Sequence, residues 1–376
     1  MQTYKPTRVD EVPELVRENP CLLAVGGRTK PALTMDREGA ALVDFSALSG
    51  VLEYQPEEYT FTALAGTRLL EVVQMLDAHG QFLPFDPPLV ERGATLGGAT
   101  ASGLSGSGRY RFGGLRDFLL AVQFVDGRGQ LVRSGGKVVK NAAGFDLSKF
   151  MVGSLGRFGF LTELTFKVFP QPPQYLTIRF TYPTLTEALE AMQRLAGLSL
   201  DLYALDLEPG KLEVSLLARL GGLEASFPAR LERLRSLARA PERGDVVLAG
   251  EEEQEFWRAR REFSWLPPDW ILAKVPLTPS RLAALDVQLE EFGALRSYVS
   301  GGNLAWVAWP GALAGLDAIL DEHGLSGLAL SGTAGGGNGR APLLGRSVGE
   351  PFARRVKVAL DPEGKYGGEY APQHPR

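Results

Sequence analysis

Between Thr95 and Gly108 the chain reads TLGGATASGLSGSG, and no other stretch restricts its fold so much. Gly97, Gly98, Gly103, Gly106 and Gly108 alternate with Thr95, Thr100, Ser102, Ser105 and Ser107. Side chains this small bury little apolar area, so the stretch cannot build a core of its own. It can wrap a flat, polar ligand with backbone and hydroxyl hydrogen bonds. A disordered linker has a similar composition. Leu96, Ala99, Ala101 and Leu104 punctuate the run and argue that it is partly buried.

Two further glycine clusters flank it. Leu22–Val25 is a short apolar run that ends in Gly26-Gly27-Arg28-Thr29-Lys30. Glycine lets backbone approach a ligand closely, and successive N–H groups can form a nest for phosphate oxygens. A plain strand–turn–strand connection explains the same five residues. Neither GxGxxG nor GxxxxGK[ST] occurs, so a Rossmann fingerprint and a Walker loop are both excluded. The third cluster is GGKVVKNAAGFD (135–146), followed by Gly153, Gly156 and Gly159 ahead of a strand. Bare backbone there would let another surface pack against it; a helix cap with bulges is the alternative.

Composition bounds the rest. With 376 residues, 44% hydrophobic and 22% charged, the chain reads as two or three globular domains. A net charge of −4 with no basic excess argues against nucleic acid. The single cysteine, Cys21, excludes an internal disulfide and an iron–sulfur cluster held by this chain alone. His79, His323 and His374 lie far apart without metal-ligand spacing, so no metal site is expected. His79 and His323 each sit at a predicted helix C-terminus, which the macrodipole favours. The N-terminus lacks a basic-then-apolar leader pattern, and no apolar run approaches the ~18 residues of a membrane span.

The coarse pattern is mixed. Strands are expected at 22–25 and 40–44, and a helix over 67–80 carries Leu69, Val72, Val73 and Leu76 on one face. A hairpin follows, 118–125 and 130–133 around Asp126-Gly-Arg-Gly129, then a strand over 163–168. Residues 170–173 (PQPP) mark a domain border. Beyond it the order strand 176–181, helix 184–197, strands 201–207 and 212–217, helix 222–239 recurs as 271–275, 279–292, 295–299, 304–309 and 311–323, then strand 326–330. Thr184 and Glu187 have capping-box spacing. The repeat predicts two ferredoxin-like halves sharing one antiparallel sheet. Residues 331–349 read as a glycine-rich loop and 350–360 as a terminal helix.

Taken in order, the three glycine segments resemble the FAD-binding domain of the vanillyl-alcohol-oxidase (PCMH-type) flavoproteins. Within that family, ATLGGATASGLSGSGRYRFGGLRDFLLAV, GGKVVKNAAGFDLSKFMVGSLGRFGFLTELTFKVFPQP and GQFLPFDPP are similar to the E-type subunits of bacterial glycolate oxidases. The match is dense over 20–173 and thinner afterwards, at EFWRARREF (255–263) and Val275-Pro276. The resemblance implies an α+β fold. A PCMH-type FAD-binding domain of two α/β subdomains (1–50 and 51–173) would precede a helix-covered antiparallel sheet domain (174–340). Residues 341–376 would return toward the FAD domain.

It also implies a site. Val25, Gly26, Gly27, Arg28, Thr29 and Lys30 would hold the pyrophosphate. Thr95, Gly97, Gly98, Ala101, Ser102, Gly103, Ser105 and Gly106 would line pyrophosphate and isoalloxazine, with Pro84 adjoining. Gly153, Gly156, Gly159 and Leu161 would take the adenine side, with Gly144 and Asp146 nearby. FAD would be non-covalent, because Arg28 follows the glycine pair and no His or Cys occurs between residues 80 and 322.

Departures from the family bear on mechanism. Oxidising a 2-hydroxy acid needs a base and cations for the carboxylate. The histidine-rich site of many relatives is reduced to His323. Arg109, Arg111, Lys274 and Arg340 are candidate carboxylate clamps, although each is equally a solvated surface cation. Trp257, Trp265, Trp270, Trp306 and Trp309 read as core or interface. The ending DPEGKYGG (361–368) lacks the family's Asn-Pro, which puts closure over the flavin in question.

The favoured reading is an FAD subunit of a glycolate-oxidase-type 2-hydroxy acid complex, beside a D-type flavin subunit and a separate F-type iron–sulfur chain. Its place would be cytoplasmic, or peripheral at the inner membrane face through partners. A non-catalytic scaffold and a self-sufficient 2-hydroxy acid dehydrogenase stay open. A cell-wall-sugar reductase sharing the flavin fold is disfavoured by the detailed match.

Overall fold

The computed structural model describes residues 2–34, 39–136, 146–240, 245–331, 342–346 and 349–367. The chain opens with β1 (Thr3–Tyr4), α1 (Glu11–Glu18), β2 (Leu22–Val25) and β3 (Ala41–Asp44). These strands form a parallel sheet ordered β1-β3-β2. Val12 and Val16 are the fully buried residues of α1 and seal it onto Leu22, Val43 and Phe45.

A second sheet follows: β4 (Val51–Gln55), β5 (Thr60–Leu64), α2 (Leu69–Asp77) and β6 (Gln81–Phe82). Leu69, Val72 and Leu76, spaced for one helical face, are the buried side of α2. Three short helices come next: α3 (Leu96–Ser102), α4 (Arg109–Phe112) and α5 (Leu115–Phe118). Then come β7 (Leu119–Val125), β8 (Leu131–Gly135), α6 (Leu147–Met151), β9 (Phe160–Lys167) and β10 (Phe169–Pro170). The sheet is antiparallel, ordered β4-β5-β9-β7-β8, and β10 pairs with β6.

The glycine-rich run is therefore not irregular throughout, as its lack of period predicts. Thr95 Oγ1 accepts from Gly98 N at 3.2 Å and caps α3. Gly97 sits so close to strand β5's exit that a Cβ there would lie 2.8 Å from Ala65 O. Glycine here lets a helix lie directly on backbone, a tertiary cause that sequence period does not carry.

Beyond residue 173 lies a nine-stranded antiparallel sheet. Its first half is β11 (Gln174–Tyr182), α7 (Leu185–Ala196), β12 (Ala204–Pro209), β13 (Val214–Gly222), α8 (Phe227–Ala238) and β14 (Asp245–Ala249). After α9 (Gly250–Arg261) the second half is β15 (Ile271–Pro276), α10 (Pro279–Glu291), β16 (Leu295–Val299), β17 (Leu304–Trp309), α11 (Leu313–Glu322) and β18 (Ser326–Ala329), extended by β19 (Leu343–Gly345). The order β14-β11-β13-β12-β16-β17-β15-β18-β19 places two βαββαβ units back to back, joined at Leu207 opposite Tyr298. Thr184 Oγ1 accepts from Glu187 N at 3.3 Å and starts α7 as its spacing predicts. The elements β14, α9 and β19 were not anticipated.

The chain then returns through α12 (Glu350–Leu360). Tyr366 bridges Leu22 in parallel at the edge of the first sheet, and its hydroxyl reaches Val125 O (2.8 Å) and Asp126 O (2.7 Å). Asp361 fixes the turn by accepting from Lys365 N (2.9 Å) and Tyr366 N (2.8 Å). A carboxylate thus organises the ending in which the Asn-Pro is missing.

One apolar cluster crosses the joint between the two regions. Phe85, Leu89 and Val90 pack with Phe263, Leu272 and Trp306. Trp257 and Trp309 are also buried, as core tryptophans.

Candidate functional site

Strand β2 ends at Val25, and the chain turns through Gly26 and Gly27 into Arg28, which takes a left-handed φ of 53°. A Cβ on Gly27 would lie 1.9 Å from Gly93 O, so this turn presses against the loop ahead of α3. The contact brings the 26–30 loop alongside Thr95, Gly97, Gly98, Ala101 and Ser102. Gly156, Gly159 and Leu161, at the start of β9, close the third side. The result is one cleft with about 810 Å³ of open space.

Its electrostatics suit an anion. Arg28 Nη2 lies 3.3 Å from Asp44 Oδ2, on the strand beside β2. Burial pulls the Asp44 carboxyl up, but hydrogen bonds from Ser46 and Arg28 outweigh it and hold it below its ordinary range. Arg28 is thereby aimed without being enclosed. Lys30 lies in the cleft wall, and burial pushes its ammonium down to about 8. Among the described residues no carboxylate pairs with Lys30, and a desolvated cation left unpaired costs free energy that an anionic ligand would recover.

Fourteen of the residues singled out from sequence meet here: Val25 through Lys30, then Thr95, Gly97, Gly98, Ala101, Ser102, Gly156, Gly159 and Leu161. Others lie outside the lining. Pro84 faces a different groove, between the two domains. Gly103 ends α3 in the left-handed region at φ 60°. Ser105 Oγ accepts from Leu115 N at 3.0 Å, and Gly106 N bonds back to Asp86 O at 2.7 Å. Asp146 caps α6 through Lys149 N (3.0 Å), and Gly153 N donates to Thr100 O at 3.0 Å. These are structural tasks within the same loops. Gly144 lies outside the described residues. Leu33, Phe45, Ala65, Leu155 and Phe160 also line the cleft. As ordinary apolar residues they carry no chemical signal, and only Phe45, next to the strand-ending Asp44, had a positional one.

The four candidate clamps separate. Arg111 pairs with Asp201 at 3.1 Å and stacks over Tyr203 at 4.6 Å, which leaves it a surface role. Arg340 lies outside the described residues. Lys274, on β15, donates to Gly103 O at 2.9 Å across the joint. Burial, with repulsion from Arg109 second, pushes its ammonium down to about 8. Lys274 and exposed Arg109 therefore form a cationic pair at the end of α3.

The lining fits FAD. Close-approach glycines, hydroxyls and two cations can hold a diphosphate that carries about two negative charges. Residues 2–135 match the family model described as "FAD binding domain". Over 96% of both chains, the sequence is 30% identical to glycolate oxidase subunit GlcE of Escherichia coli. It is 29% identical to glycolate oxidase subunit GlcD of Bacillus subtilis over 48% of this chain and 37% of that one. It is 26% identical to the mitochondrial D-lactate dehydrogenase [cytochrome] of Arabidopsis thaliana over 65% of this chain and 46% of that one. Among solved structures, an alkyldihydroxyacetonephosphate synthase superposes with a TM-score of 0.71 over 97% of this chain and 75% of its own, at 16% identity. That likeness speaks to the fold.

Fold and site together define an FAD-binding oxidoreductase subunit of the PCMH type. Within that class the chain belongs to the family of glycolate oxidase subunit GlcE.

Proposed function

We propose that this chain is the E-type flavin subunit of a glycolate-oxidase-type 2-hydroxy acid complex, and that its non-covalent FAD takes part in passing electrons onward. The observation that carries the reading is the convergence of the 26–30 loop, α3 and the 156–161 segment on one cation-bearing cleft. End-to-end similarity to GlcE supports the assignment to a complex.

Arg28 and Lys30 would hold the diphosphate, with backbone N–H groups of the 26–30 loop beside them. Thr95, Gly98, Ala101 and Ser102 would line the flavin. FAD, when bound, supplies the two-electron and one-electron chemistry. The protein's own part is to orient it, exclude water and place charge. Lys274 and Arg109 would attract a small carboxylate at the end of α3. Electrons would leave through a D-type flavin subunit and an F-type iron–sulfur chain. Among the described residues, no helix is long and apolar enough to cross a membrane, so any membrane contact in this reading runs through partners.

An absorption spectrum of the purified chain, followed by addition of glycolate or D-lactate with and without co-expressed partners, tests the reading. Flavin absorbance that bleaches only in the assembled complex supports it. A folded chain that refuses FAD at saturating concentration overturns it. Bleaching by the isolated chain would replace it with a self-sufficient dehydrogenase.

A further inference from the structure

A second, larger depression lies between the two domains, away from the cofactor cleft. It is bounded by α2 on one side and α9 on the other, and its volume is about 1,000 Å³. That lies at the upper limit of the roughly 300–1,000 Å³ of small-molecule pockets. Exposed Leu70 and half-buried Val73 and Phe82 give it an apolar strip.

Its charge is unbalanced. Three arginines reach the groove, and each is already matched. Arg219 pairs with Glu253 at 2.7 Å, Arg261 with Asp86 at 3.2 Å, and Arg258 with Glu91 at 3.6 Å as well as with Glu255. Asp77, Glu251, Glu252 and Glu262 also line the groove and have no ion-pair partner among the described residues.

Glu262 is the telling member. It is 7% exposed; its Oε1 accepts from Glu91 N at 3.1 Å, while its buried Oε2 has no hydrogen-bond partner. It also sits at the C-cap of α9, where the helix dipole disfavours a negative charge. Glu251 and Glu252, in the first turn, are explained by that same dipole; Glu262 is not. A buried, half-satisfied carboxylate at the wrong helix end is costly unless a cation arrives from outside.

We propose that this groove docks an extended, lysine- or arginine-bearing segment of a partner protein. The proposal rests on the chain being a complex subunit for its occupant to be a polypeptide; the groove's volume and its apolar strip argue for a chain over a small cation. Carboxylates of α9 and Asp77 of α2 would attract the segment, and Glu262 would gain the counter-charge it lacks.

The test is fluorescence anisotropy of the FAD-loaded full chain with a labelled lysine–serine repeat peptide at low salt. A glutamate–serine repeat serves as the reference and spermidine as competitor. Tight binding of the lysine peptide alone, weakened by added salt, is expected. Asp77→Asn, Glu251→Gln, Glu252→Gln and Glu262→Gln together should weaken it by roughly tenfold or more. Neutralising exposed Glu14, Glu18, Glu190 and Glu291 instead should change it by less than about twofold. If the combined variant does not fold, Glu251→Gln with Glu252→Gln is read alone, and no weakening there overturns the proposal. Absence of peptide binding, equal loss in the control variant, or spermidine competing as tightly per molecule as the peptide also overturns it. Flavin content, read from the same samples, reports separately on the cofactor assignment.

Discussion

Ser107 Oγ donates a 2.5 Å hydrogen bond to Asp206 Oδ2 and so ties the glycine-rich segment of one domain to a fully buried carboxylate of the other. Asp206 also accepts from Ser300 N at 3.1 Å and from Arg260 Nη2 at 3.3 Å. Burial raises the Asp206 pKa, with the Arg260 charge first among the opposing influences, and burial likewise lowers that of Arg260. Asp206→Asn removes the buried one of Arg260's two carboxylate partners and leaves it only the more exposed Glu208. The expected loss is about 1–3 kcal/mol in urea unfolding. Ser107→Ala should cost about 1–3 kcal/mol. An Asn variant within about 1 kcal/mol of the parent would show that the joint does not depend on this pair.

Gly27 is a steric test of the cradle. A Cβ at this position meets Gly93 O at 1.9 Å, and backbone cannot yield that far. Gly27→Ala is expected to purify without flavin colour, or not to fold. Gly156→Ala meets nothing nearer than Ala24 Cβ at 3.9 Å, so its cost is the strain of φ +72°, about 1 kcal/mol. Circular dichroism and flavin stoichiometry separate the two variants. A yellow Gly27→Ala protein with full stoichiometry would contradict the close approach.

Much of the layout was legible in sequence because strong local patterns agreed with tertiary demands. The strand–helix repeat after residue 173 gave both halves of the large sheet, since each strand and each cap, such as Thr184, is locally encoded. What stayed hidden depended on contacts distant in sequence. The seven-residue α3 forms where Gly97 can press on Ala65, and no period announces it. Helix α9 is charged on most faces, so apolar period missed it. Its acidic first turn (Glu251–Glu253) and basic last turn (Arg258, Arg260, Arg261) are the signal that would have found it. Among the clamp candidates, the contact of Lys274 with Gly103, 171 residues away, could be read only from coordinates.

Lys30 should make cofactor affinity depend on pH. Burial holds its pKa at about 8, and a neighbouring diphosphate favours the ammonium and raises it. Below about 8 the lysine is charged before and after binding, so affinity is flat. Above about 8 binding must take up a proton, and affinity falls by up to roughly tenfold per pH unit until the bound-state pKa is passed. Titration of the apoprotein with FAD by fluorescence quenching at several pH values measures this. Lys30→Met should bind more weakly at neutral pH and lose the decline. An unchanged decline in that variant would assign it to another group.

Lys274 supplies a test of the proposed carboxylate site with a separate stability signature. Its folded pKa is about 8, against 10.5 for a free lysine. Between those values the unfolded chain holds the extra proton, so the parent protein gains stability as pH rises from about 8 toward 10.5; below about 8 this group contributes no slope. Lys274→Met removes the slope. Thermal melts should therefore favour the variant most at neutral pH, with the advantage shrinking as the medium becomes alkaline. In the FAD-loaded chain the same variant should weaken the flavin difference spectrum induced by glycolate or D-lactate by roughly tenfold, the order of one charge-assisted hydrogen bond. Lys274→Arg should keep part of that response. A Met variant with the parent's carboxylate response, but with the altered pH slope, would place the lysine in packing alone and move the clamp elsewhere.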